Sequence, residues 1–229
     1  MEHSNSEIMD TTTRKKLKIV LIAFLILLIP LGFAMKILYG IHLNDKALNT
    51  YWGAHIGISD KEAASQAISE FDKAKKFNKR NPIIYINQAR LYGTLHQYDK
   101  AIKTIEEYIE IKPNFAYGYL MLGVFHEQEN ETKRAQDYYL RYRSLKTEKY
   151  SKRTLDKEEL KTVEFEELMD FYLLNDTVSF KKRLIDLETK YPNDWMINGV
   201  KLQQESESRK EIILGLIGMT SLHNIVSEN

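Results

Sequence analysis

The stretch YDKAIKTIEEYIEIKPNFAYGYLMLG, residues 98–123, decides the fold. Ala101 and Ile105 lie four residues apart, so both fall on one face of a helix. Pro113 ends that helix, because its ring and missing N–H forbid continuation. A second patterned run follows at once and carries the small Gly123. The stretch therefore reads as two helices meeting at small side chains, with no reactive cluster between them.

Laid against itself, the chain repeats this pattern every 34 residues. Ala67, Ala101 and Ala135 keep the interval, as do Tyr51, Tyr85 and Tyr119. Phe71, Ile105 and Tyr139 keep it too, and so do His55, Ala89 and Gly123. A fixed period of this length marks a solenoid of stacked units. At Tyr119, Leu122, Gly123, His126, Ala135 and Tyr139, and at Tyr85, Ala89, Tyr92, Tyr98, Ala101, Ile105 and Pro113, the chain resembles the tetratricopeptide repeat family. That resemblance implies helix–turn–helix units over residues 48–149, three in number, whose first helices form a concave wall that takes a protein or peptide. The first unit departs from the pattern with Lys79 and His55, and the third with Thr147.

By resemblance the groove-facing positions are Trp52, Ile56, Ile83, Ile86, Arg90, Thr94, Tyr117, Leu120, Val124, Glu127 and Gln128. They are mostly apolar, and exposed surface of that kind marks a binding site or a covered one. Family members that clamp a chaperone's C-terminal carboxylate use lysine, arginine and asparagine. Only Asn87 matches here, with Trp52, Ile56, Tyr117 and Met121 elsewhere in the clamp, so that ligand is not expected. The competing reading is that the chain's own fourth helical pair or N-terminal linker fills the groove.

Ahead of the repeats, residues 19–35 carry no charge. A membrane span needs about 20 apolar residues, and residues 17–41 reach that length if Lys36 snorkels. Arg14, Lys15, Lys16 and Lys18 precede the run, while Lys36 and Lys46 follow it. The positive-inside rule then places residues 1–16 in the cytoplasm and the repeats outside it, on the periplasmic side of a bacterial inner membrane. A cleaved signal peptide and a buried soluble helix are the competing readings.

Residues 150–229 read as degenerate helical pairs, with Asp156 as an N-cap and a turn at 191–194. The closing run EIILGLIGMTSLHNIV is apolar all round over residues 212–219 but too short to span a bilayer. It reads as a core helix under the fourth pair or as a homo-oligomer seam through Ile212, Gly215, Leu216 and Gly218.

Composition narrows the function. The net charge of +1 gives no field for nucleic acid, and the absence of cysteine excludes thiol chemistry. No phosphate-binding loop, nucleophile elbow or paired metal ligands occur, and His126 falls on a packing position. The expectation is an all-α chain, an N-terminal transmembrane helix followed by the solenoid. It is no enzyme and takes no cofactor, metal or nucleic acid; it is a membrane-anchored adaptor in envelope or secretion assembly. The alternatives are a regulatory subunit with a small-molecule pocket in the C-terminal helices, and a self-assembling membrane scaffold.

Overall fold

A computed structural model describes residues 11–55, 61–206 and 208–219. Among the described residues there is no strand, and ten helices follow one another: α1 (Thr11–His55), α2 (Lys61–Phe77), α3 (Pro82–Thr94), α4 (Tyr98–Ile111), α5 (Ala116–Gln128), α6 (Thr132–Ser151), α7 (Lys157–Leu173), α8 (Thr177–Lys190), α9 (Trp195–Ser206) and α10 (Arg209–Met219). Consecutive helices pack as antiparallel hairpins, α1 on α2, α3 on α4, α5 on α6 and α7 on α8.

The periodic residues hold these hairpins together. Ala67, Ala101 and Ala135 are all buried, and so are Phe71, Ile105 and Tyr139. The Tyr85 hydroxyl donates to the Lys79 carbonyl at 3.1 Å, and the Tyr119 hydroxyl donates to the Pro113 carbonyl at 2.9 Å. These are one hydrogen bond repeated 34 residues later. Lys79 therefore serves as well as proline at this position, since the tyrosine takes only the backbone carbonyl.

The turns repeat as well. His96 and Asn130, again 34 apart, are left-handed, with φ of 55° and 64°. Beside them the Gln97 and Glu131 amides reach back to the Tyr92 and His126 carbonyls, both at 2.9 Å. This closure satisfies the last carbonyls of a helix. Asn175 (φ 58°) and the Asp176 amide bond to Phe171, 2.9 Å, make the same turn after α7. α7 opens on a capping box, with Asp156 and Glu159 satisfying each other's amides.

Two findings differ from expectation at the N-terminus. α1 does not stop at residue 41 but continues to His55, about 68 Å at 1.5 Å per residue. Its packed portion begins at Gly40, where an added Cβ would lie 2.8 Å from Asn78 Cβ. Beyond it Leu43, Asn44 and Ala47 are buried, so the first hairpin starts before residue 48. Among the described residues no helix is long and apolar enough to cross a membrane. Leu21, Ala23, Leu25 and Leu27, within the expected span, fall outside the residues whose side chains are described.

Two apolar cores result. The larger joins α1–α6 and includes Leu173, Ile213 and Ile217. The smaller sits among α7–α9, around Leu168, Phe180, Leu187, Ile197 and Val200. The two halves are tied by the buried Lys146 of α6, which meets Asp170 at 3.1 Å and Glu166 at 3.3 Å on α7. Burial pushes the Asp170 carboxyl above its ordinary value, and Lys146 offsets only part of that.

Candidate functional site

α3 begins where Asn81 accepts from the Ile83 amide at 3.0 Å and Pro82 occupies the first turn. This fixes the register of Ile83, Ile86, Arg90 and Thr94. On α5, Tyr117, Leu120, Val124, Glu127 and Gln128 recur every three or four residues and form one stripe. The flank of α5 beside this stripe meets α6 closely, since a Cβ on Gly123 would run into the Tyr139 ring. Tyr117, Leu120 and Val124 lie about 60–120° further round the helix from Gly123.

This stripe is not open. Tyr117, Leu120 and Val124 are buried, and α10 packs against α5. The expectation that the closing helix lies under the fourth pair is thus corrected: α10 leaves α9 and enters the groove. Its direction follows from two ends. The Tyr117 hydroxyl donates to the Ile217 carbonyl at 2.8 Å, and Arg209 Nε donates to Glu127 Oε1 at 2.6 Å. The two helices run antiparallel. Gln128 Nε2 donates to the Lys210 carbonyl at 3.1 Å, and Lys210 Nζ donates to Asn130 Oδ1 at 2.8 Å.

Arg209 is the clasp of the assembly. Besides Glu127 it donates to the Tyr172 and Leu173 carbonyls, at 2.6 and 2.9 Å, which are the last carbonyls of α7. Its guanidinium lies over the Tyr172 ring, 5.0 Å from the centroid. Five donors in a rigid fork suit this task in a way a lysine does not. Glu127 also accepts from the Tyr139 hydroxyl at 3.0 Å. Burial, then the Glu127 charge, pushes the Tyr139 phenol far above its ordinary range. At the other end Arg90 Nη2 donates to the Tyr117 hydroxyl at 3.0 Å, while Arg90 Nε is buried without a hydrogen-bond partner.

Of the expected groove positions, Ile86 is also buried and Ile83 half-buried, whereas Thr94 is exposed. The side chain of Trp52, and Ile56 altogether, lie outside the described residues. Of the expected seam, Ile212 is buried within this chain, Gly215 and Leu216 are half-buried, and the surroundings of Gly218 are not described. The α10 residues buried in one core with the α5 stripe are Ile213 and Ile217, outside the expected seam, while Leu216 packs partly buried against that core. Sequence reasoning missed Arg209 and Lys210. The available signal was the capping box at Ser208 and Glu211, where the Ser208 amide donates to Glu211 at 2.8 Å. Its hydrogen bonds hold the Glu211 carboxyl below its ordinary value.

His126 lies in the core as expected, stacked on Tyr138 with ring centroids 5.1 Å apart and Nδ1 2.7 Å from Glu131. Asn87 donates to Asn44 at 3.4 Å between α3 and α1. The cleft among the C-terminal helices, at Lys161, Phe165, Leu187, Tyr191, Asp194, Met196 and Ile197, is too tight to admit a water molecule. It is not the small-molecule pocket of the alternative reading.

The family model described as Tetratricopeptide repeat matches residues 83–115, that is α3, α4 and the turn after them. Small glutamine-rich tetratricopeptide repeat-containing protein 2 of Saccharomyces cerevisiae is 33% identical over 73 residues, 32% of this chain. The match spans 21% of that relative's length. A solved structure of a MamA RS-1 ArsTM double mutant superposes on 69% of this chain and 98% of its own, at 14% identity and a TM-score of 0.39.

Proposed function

We propose that this chain, whose residues 83–115 match the tetratricopeptide repeat model, is an adaptor: its concave face takes a helical segment of a protein partner, and the first half of α1 holds it to a membrane. The observation that carries the adaptor reading is the α5 stripe enclosing a helix, α10. The groove thus has the width and the apolar lining that a helix needs.

The membrane part rests on exposure. Leu17, Ile19, Val20, Ile22, Phe24, Ile26, Ile29, Leu31, Phe33, Met35 and Leu38 are each more than half exposed. At 100° per residue these positions fall in two broad sectors on opposite sides of α1. So large an apolar belt marks a lipid or protein contact. Residues 17–38 are about 33 Å long, close to a bilayer's hydrocarbon thickness. Pro30 within this stretch costs less in a bilayer than in water. Lys46 is paired with Glu70 at 2.7 Å, which leaves the basic excess on the N-terminal side, for a cytoplasmic N-terminus. A role in envelope or secretion assembly gains nothing from layout, since one fold hosts many functions.

One experiment tests both parts. The full-length chain carries a photoreactive side chain at Thr94 on the groove rim or at Glu110, an exposed position on α4. We expect it to stay with membranes through an alkaline carbonate wash and to form a discrete protein adduct from position 94 alone. A chain stripped by the wash contradicts the anchor. Equal adducts from both positions contradict the groove.

A further inference from the structure

We propose that α10 is a removable plug, and that the ligand of the concave face is a helix of α10's own chemistry: a basic first turn followed by an apolar body, lying antiparallel to α5. This rests on the adaptor reading and adds to it the ligand's pattern, its direction and a means of control.

The groove distinguishes the two ends of a helix. Glu127 stands where α10 begins, and there it meets Arg209 together with the positive end of the helix dipole. The Arg90–Tyr117 pair stands where α10 ends and donates to the Ile217 carbonyl, at the negative end. A helix entering the other way would set its C-terminal carbonyls against Glu127. Between the ends, Ile213 and Ile217 belong to the same continuous apolar core as Tyr117, Leu120 and Val124. An occupant needs apolar residues at that spacing and no charge among them.

α10 is suited to leave. At 11 residues it is too short to be a stable helix away from its seat. Its side-chain attachments are those of Arg209 and Lys210 at one end, and at the other end only the Ile217 carbonyl is held, by Tyr117. It also leaves Arg90 Nε without an acceptor, so an incoming helix that brings one there is better satisfied than α10. Tethering supplies α10 at high effective concentration. An outside helix therefore binds with an apparent affinity reduced by the fraction of chains whose groove is open.

The test uses the full-length chain and a fluorescent peptide of residues 208–219. Arg209→Glu places a carboxylate against Glu127 and two carbonyls, and so frees α10 from its clasp. We expect the R209E chain to bind the peptide about tenfold more tightly or better than the wild-type chain does. Hydrogen exchange over residues 212–217 should speed up in the same variant. A peptide carrying the R209E change should bind it poorly. Ile213→Ser with Ile217→Ser opens the groove by a second route, should R209E fail to fold, and is expected to raise peptide binding likewise. Exchange that stays slow in both variants, with no peptide bound, makes α10 a permanent strut and overturns the plug; the crosslink from Thr94 then still decides the adaptor reading. Fast exchange with no peptide bound overturns both, because an open groove would have refused its own helix.

Discussion

Gly123→Ala will destabilise the chain by about 2–3 kcal/mol, although the same change at an open helix site stabilises by about 1 kcal/mol. The sign reverses because the added methyl has nowhere to go. Tyr139 of α6 lies across Gly123, fully buried, and its hydroxyl is held by Glu127 at 3.0 Å. The ring cannot swing away without losing that bond in a dry place. Tyr139→Ala is the reverse change and will cost about 3–5 kcal/mol through the cavity it leaves. The two changes together should cost less than their sum, since the new methyl partly fills the space the ring vacates. Urea unfolding followed by circular dichroism measures all three. Stabilisation by Gly123→Ala would show that α5 and α6 do not touch there.

Lys146→Met will cost a similar amount, about 3–5 kcal/mol at neutral pH, because it strands Asp170 as an unpaired buried charge. The sign of the pH dependence identifies the cause. Burial already holds the Asp170 carboxyl above its ordinary value of 3.8. A carboxyl whose folded value is raised favours the fold fully below 3.8 and progressively loses that contribution as pH rises through the raised value. The defect of Lys146→Met should therefore shrink on acidification relative to the wild type. Replacing Asp170 by leucine in the same chain should recover most of the loss at neutral pH. An unchanged defect across that range would mean that Lys146 acts by packing on Tyr142, whose ring centroid is 4.7 Å from its ammonium, and not by charge.

The hairpins were legible in the sequence because the contacts that make them are local and repeat. Ala101 meets neighbours within one unit, and the Tyr85 and Tyr119 hydroxyls each reach a carbonyl six residues back. Such contacts leave a period of 34 in the chain. The position of α10 left none. Its clasp on Glu127 spans 82 residues and its bond to Tyr117 spans 100, so nothing in the spacing announces them. The apolar stripe of α5 could be read from its spacing, with Glu127 at one end, but an apolar stripe does not say whether its cover comes from outside or from the same chain. At the N-terminus the change from apolar to mixed composition near residue 41 reads as the end of a helix. Composition sets what surrounds a helix, though, and no proline or glycine cluster interrupts the backbone before His55.

The occupied groove is open to a direct measurement. The chain has no cysteine, so cysteines introduced at Gln128 and Lys210 are its only thiols. A short bifunctional maleimide applied to the dilute full-length protein should join them within one chain, and heating past the unfolding transition should abolish the product. Absence of that link in folded protein, or a link found only between two chains, would contradict the seat of α10 beside α5.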